Sequence, residues 1–188
     1  MPNTYTSTAK WFHWLIVLLV GLELLIGVTM PGINRNTTPS TLINLHFSFG
    51  LTIIAVMILR ALWRFTHQTP PWPRDTPWWQ TWAMHLTHFA LYILLFLIPF
   101  AGWLWANAVG WQVQAFWLIP MPTLVPKGWS YTWLAADGHV YLAVLICLFI
   151  ALHVLAALWH WYFKKDDVLE RMLPNNKLIN RALSFFNR

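Results

Sequence analysis

Charged residues are scarce in this chain. Asp, Glu, Lys and Arg make up 10% of its 188 residues, against roughly 25% in an ordinary soluble domain, and that shortage excludes a water-facing surface over most of the molecule. Cysteine is nearly absent. The one thiol, Cys147, rules out a disulfide framework, and its place inside an apolar run means that cysteine usage does not report a redox compartment. Internal repeats and low-complexity stretches are missing. The connection at 106–136 holds no nucleophile beside a base, no phosphate-binding loop and no metal cluster.

Apolar and aromatic side chains dominate what is present: 58% of residues are hydrophobic and 17% aromatic, with fifteen Trp. Four long apolar runs, at about 11–31, 43–63, 84–106 and 138–163, each reach the roughly 20 residues needed to cross a bilayer. The expected fold is all-α, a transmembrane four-helix bundle forming a single membrane domain over 1–188 with a tail at about 164–188. The first run exceeds the 7–15 residues of a signal-peptide core and no clear small-residue cleavage pattern follows it, so it is expected to be a retained span.

A formal charge of +6 is compatible with a nucleic-acid binder, but its distribution argues for topology instead. Lys10, Arg60, Arg64, Arg74, Lys164, Lys165, Arg171, Lys177, Arg181 and Arg188 fall on the side of the termini, and only Arg35 and Lys127 on the other. The positive-inside rule then puts both termini in the cytoplasm. The apolar and basic tail suits contact with anionic membrane lipid; no nucleic-acid partner is expected.

Histidines carry the functional signal. His139 and His153 lie in the last apolar run, fourteen residues apart. On a helix that spacing is a rise of roughly 21 Å and about 40° short of four turns, so both imidazoles share one face at opposite depths of a roughly 30 Å hydrocarbon layer. Polar groups there are costly and point to function. With the termini inside, His13 in AKWFHWL shares the depth of His153, and His46 in LINLHFSFG shares that of His139. Two pairs at two depths, each drawn from two helices, match the need of two bis-histidine b-type haems, with His13 and His153 on the inner iron and His46 and His139 on the outer. No Cys-x-x-Cys-His occurs, so such haems would be non-covalent. Neutral imidazoles on both axial faces leave no open iron position, which favours outer-sphere electron transfer. Taken alone, His13 reads equally as an interfacial residue in an aromatic belt with Trp11 and Trp14.

Other residues carry two readings each. Arg60 and Arg64 close the second span as topology signals, and Arg60 is equally suited to a haem propionate; Arg64 is assigned to topology. Gly50, one turn from His46, leaves room for a flat group against the helix. His85 and His88 share a helical face, but without a nearby Cys, Asp or Glu they do not suggest zinc. His88 and His160 are candidates for a quinone site or haem edge, or for interfacial hydrogen bonding. Glu23, deep in the first span, reads either as a proton-transfer group or as a hydrogen-bonded structural residue, and is left out of the site. The Pro- and Trp-rich stretch 66–82 reads as a connection, and Pro99 with Gly102 as a bend or thinning of the third span.

The chain also resembles the bacterial cytochrome b561 family. The residues that carry the likeness are His13-Trp14-Leu15, His46 with Gly50, Arg60 with Arg64, the Pro-Pro connection, His88 with Leu91-Tyr92, and Pro99 with Gly102. They continue through His139, His153, Ala156-Ala157 and His160 to Asp166, Leu169 and Arg171-Met172-Leu173-Pro174, covering about 10–174. The resemblance implies a four-span bacterial inner-membrane protein with two non-covalent b haems on His13, His46, His139 and His153. It also implies exchange with the quinone pool, and one type in the family passes electrons from superoxide to ubiquinone. Trp159 and Trp161 depart from the pattern by flanking His160 where a basic residue or second histidine is expected.

Three functions are therefore weighed. One is an oxidoreductase that oxidises superoxide with quinone as acceptor, Arg35 and Lys127 steering the anion from outside. The second is a cytochrome b subunit anchoring a partner dehydrogenase or another redox protein. The third is a haem-free transporter or scaffold.

Overall fold

The computed structural model describes residues 4–32, 38–73 and 76–174. Arg35, Arg74 and the amphipathic tail expected beyond 174 lie outside the described residues. Four helices are long and apolar enough to cross a membrane: α1 (Ser7–Thr29), α2 (Thr41–Thr66), α3 (Trp78–Ala108) and α4 (Thr132–Trp159), the last continued by one π-helical turn, His160–Lys164. Between α3 and α4 a two-residue antiparallel pair, β1 (Gln114–Ala115) and β2 (Ile119–Pro120), forms a small hairpin. A short 3-10 turn, Glu170–Met172, follows α4.

Hydroxyl caps set the first two helix starts. The Thr6 side chain accepts from the Ala9 N–H at 3.2 Å and the Ser40 side chain from the Ile43 N–H at 3.4 Å, each satisfying one of the amides that a helix start leaves unpaired. α3 begins at Trp78, six residues before the expected boundary. Pro77 does not break this helix but precedes it, where its missing N–H costs nothing. α4 likewise begins at Thr132 rather than near 138.

The helices turn apolar side chains outward. Val28 is 81% exposed and Phe65 87% exposed, a surface that water would reject and hydrocarbon accepts. Inside, Ile16 and Leu19 of α1 meet Ile53, Val56 and Met57 of α2, with Phe12, Phe49, Tyr92, Leu95 and Phe96 packed around them. This apolar slab occupies the middle depth of the bundle.

Packing between the helices is uneven. α1 packs along α2, α2 along α3, and α3 along α4, but among the described residues neither α1 nor α2 packs closely along α4. The bundle is therefore open along one side of α4.

Each end of the bundle is tied off. At the end bearing α1's start, the buried Lys10 donates from Nζ to the Leu173 carbonyl at 2.9 Å, and Trp14 Nε1 donates to the Met172 carbonyl at 3.0 Å. Arg171 pairs with Asp167 at 2.8 Å and donates to the Pro71 carbonyl. At the opposite end the hairpin folds back against α2. Phe116 and Trp117 take left-handed φ of 50° and 59° in its turn, which is unfavourable for bulky side chains. Ser48, with 0% exposure, accepts from the Phe116 N–H at 2.8 Å and donates to the Asn44 carbonyl at 2.7 Å. Ser48→Ala leaves that amide without a partner at a cost of about 1–3 kcal/mol. The expected outcome is a lower unfolding temperature and faster hydrogen exchange at the Phe116 amide; unchanged exchange there contradicts the role given to Ser48.

Candidate functional site

The rings that face the open side of α4 do so in two layers. At the end bearing α1's start, His13 of α1 and His153 of α4 have ring centroids 6.2 Å apart at 66°. At the other end, His46 of α2 and His139 of α4 lie 5.8 Å apart at 82°. Both pairs reach across from α4 to a helix that does not otherwise pack on it. Opposed imidazoles sharing one metal through bonds of about 2.0 Å have ring centres about 6 Å apart. The apolar slab between α1 and α2 separates the two layers.

The second layer is the more completely built. His139 Nδ1 lies 2.8 Å from the Ile98 carbonyl, so it donates there, which fixes the tautomer and leaves Nε2 for the open space. Gly102 makes that approach possible: a Cβ built on it would sit 2.9 Å from both Nδ1 and Cε1 of His139. On the facing helix, His46 Nδ1 meets Glu23 Oε2. A cavity of about 490 Å³ runs between these groups, lined by Glu23, Gly27, His46, Gly50, Gly102 and His139 among others. That volume lies within the roughly 300–1,000 Å³ range of cofactor pockets. Trp103 also lines it, and the buried Trp103 Nε1 has no acceptor among the described residues.

Around the first layer, His88 of α3 sits edge-on to His153 at 5.1 Å, and its Nδ1 is 2.8 Å from the Met84 carbonyl. Arg60 donates from Nε to the Tyr92 hydroxyl at 3.0 Å and lies over the Tyr92 ring. Tyr92 lies one turn beyond His88 on α3, so the bond to its hydroxyl brings the guanidinium beside this layer. Arg64 is exposed. His160 is held apart from both layers: its Nδ1 lies 2.6 Å from Asp166 Oδ2, and Asp166 Oδ1 accepts from the Val168 N–H at 3.2 Å. The π-helical turn and the left-handed Lys165 (φ 53°) bring Asp166 back onto His160.

Several sequence expectations change here. His85 and His88 do not act together, because His85 is exposed and only His88 turns inward. Gly50 does line the cavity, but a Cβ there would also meet the Pro99 side chain at 3.7 Å, so it serves helix packing too. Glu23, kept out of the site on sequence grounds, touches His46 and belongs to it. Gly102 is a clearance for His139 rather than a general thinning of α3. Tyr92 and Asp166 entered the sequence reading only as residues of the family likeness, without a role, and Trp103 was missed; Glu23 carried a signal of its own, that of an acid in an apolar span.

The donor set discriminates among cofactors. No group of three or more His, Cys, Asp or Glu able to hold a metal ion occurs among the described residues, and two imidazoles cannot complete a tetrahedral zinc site. An iron that brings four nitrogens of its own needs only two axial imidazoles, and a flat macrocycle fits a space kept open beside a helix. An unpaired buried indole N–H and a nearby guanidinium suit its carboxylates.

Fold and donors together define an integral-membrane helical bundle with an imidazole-lined interior. The model of the prokaryotic cytochrome b561 family matches residues 4–175, and the chain belongs to that family. It is similar to cytochrome b561 homolog 2 of Escherichia coli strain K12, 29% identical over 92% of each chain. It is similar also to the probable superoxide oxidase CybB of Yersinia pestis, 30% identical over 94% of this chain and 99% of that one. Cytochrome b562 of Cereibacter sphaeroides is 27% identical over 90% of this chain and 94% of its own. The protein is thus a multi-pass bacterial inner-membrane cytochrome that binds b-type haem and transfers electrons. The haem-free transporter or scaffold is set aside.

Glycine substitutions test the clearance at His139. Gly102→Ala is expected to cost about 1–3 kcal/mol by overpacking, whereas Gly21→Ala, where a Cβ meets nothing within 4 Å, is expected to be neutral or slightly stabilising. Thermal unfolding of the two variants side by side measures this; equal stabilities would contradict the tight fit.

Proposed function

We propose that this cytochrome carries two haems b, one held by His13 and His153 and the other by His46 and His139, and exchanges electrons with the quinone pool across the inner membrane. The observation that supports it most is the pair of opposed imidazole layers spanning the open side of α4 at two depths. We take both termini as cytoplasmic from the ten-to-two distribution of Lys and Arg, which makes the His46–His139 layer the outer one. When bound, the haems supply one-electron chemistry. The chain holds them, excludes water with its apolar slab, and manages charge and protons at the edges.

At the inner layer Arg60, steered by Tyr92, is the candidate contact for a propionate. His88 and His160 are the candidate quinone-side groups. Asp166 orients His160 by taking its Nδ1 proton in a hydrogen bond, which leaves Nε2 as the atom that delivers or accepts a quinone proton. On the outer side superoxide is the favoured donor, a reading supported by the name of the Yersinia pestis relative. Lys127 is exposed there as a steering charge; Arg35, its expected companion, lies outside the described residues. A redox protein delivering electrons to the outer haem is the alternative.

The test is a reduced-minus-oxidised spectrum with haem-to-chain stoichiometry on detergent-purified protein. Two b haems per chain are expected, with one lost in either His13→Ala or His46→Ala; one haem or none in the unaltered protein rejects the pairing. Purified protein is further expected to reduce a soluble quinone when supplied with superoxide. Asp166→Asn should slow that turnover about 10–100-fold while leaving both haems bound, as loss of a group that orients an imidazole does. No turnover with superoxide in the di-haem protein would transfer the donor role to a partner protein.

A further inference from the structure

The Nδ1 atoms of the two rings at this cavity meet different partners. His139 Nδ1 is held by a neutral peptide carbonyl, that of Ile98. His46 Nδ1 is held by a carboxylate, that of Glu23. Counted from α1's end at Thr29 and α2's start at Thr41, Glu23 and His46 stand six and five residues inside the bundle, so the contact lies within the apolar layer. A polar group in that setting is expensive unless paired. Glu23 Oε1 and His46 Nδ1 are both buried without any other hydrogen-bond partner among the described residues; the contact between Oε2 and Nδ1 joins the two side chains, and the Gly50 backbone is the other group that acts on the carboxylate. Two glycines flank the pair: a Cβ on Gly27 would touch the His46 ring at 3.9 Å, and one on Gly50 would lie 4.0 Å from Glu23 Oε1.

We propose that Glu23 is a positioning residue for His46: it fixes the tautomer that turns Nε2 toward the cavity and strengthens the donation of that nitrogen to the outer haem iron. The proposal rests on His46 being a haem ligand. A carboxylate draws the Nδ1 proton harder than a peptide carbonyl does, which makes the opposite ring nitrogen a better donor. A better donor favours ferric over ferrous iron, so Glu23 holds the outer haem's midpoint potential below the value it would have with a neutral acceptor. The inner layer, separated by the apolar slab and lacking any contact with Glu23, is outside its reach.

Optical redox titration of Glu23→Gln and Glu23→Asp, with electron paramagnetic resonance of the oxidised proteins, tests this. Glu23→Gln keeps an acceptor but removes the carboxylate. It is expected to retain two low-spin haems, raise one midpoint and leave the other unchanged. A tenfold loss of ferric preference is about 59 mV for one electron. Should Glu23→Gln fail to hold the outer haem, Glu23→Asp, which restores the carboxylate, is expected to regain it. Two unchanged midpoints, equal shifts in both, or loss of the haem in both variants would overturn the role. Failure of the ligand assignment itself shows separately, as an unaltered protein with fewer than two haems or a His46→Ala variant that loses none.

Discussion

A buried imidazole has two nitrogens to satisfy, and a bilayer offers no water to either. Most of what organises this protein follows from that constraint. At the level of His46 and His139, the Ile98 carbonyl meets Nδ1 of His139 and the Glu23 carboxylate meets Nδ1 of His46, so each ring has one nitrogen engaged by the protein. The spacing of the rings, 5.8 Å and 6.2 Å in the two layers, suits a metal between them. Helix packing yields to this requirement: α4 leans on α3 and leaves α1 and α2 at a distance, an opening that a bundle stabilised by side-chain packing alone would have closed.

Small residues decide where rings and helices approach. Gly102 admits His139 to a backbone carbonyl, whereas a Cβ on Gly50 would make ordinary contacts with Pro99 and Glu23. Between the levels stands the apolar slab built from Ile16, Leu19, Ile53, Val56 and Met57. The roughly 21 Å of helix between His139 and His153 thus separates two polar levels with a dry interval. The ends are closed differently, by the Lys10 and Trp14 bonds to the segment after α4 and by the hairpin pinned on Ser48.

Much of this was legible in the sequence because membrane helices obey few rules. Run lengths gave four spans, and depth sorted the histidines into the pairs whose rings face each other. The helix starts were misplaced because Pro77 and the Trp-rich stretch after it read as a connection, although proline is at home at a helix start. Glu23 was visible as an anomaly, but its partner lies on another helix and becomes apparent only when both are measured from the same end. The clearance at Gly102 depends on how α3 and α4 are rotated, which hydropathy does not encode. Asp166 meets His160 only because the chain reverses at a left-handed Lys165, a turn without a sequence signature. His85 and His88 show the limit of face arguments: three residues apart still leaves about 60° between them, enough for one to face lipid or headgroups and the other the interior.

The central claim is that two irons sit at two depths between named imidazoles. Anomalous scattering at the iron absorption edge, from crystals of the haem-loaded protein, addresses it without reference to activity. The account predicts two peaks about 21 Å apart along the bundle, one between His13 and His153 and one between His46 and His139. A single peak, or iron bound elsewhere, would contradict it.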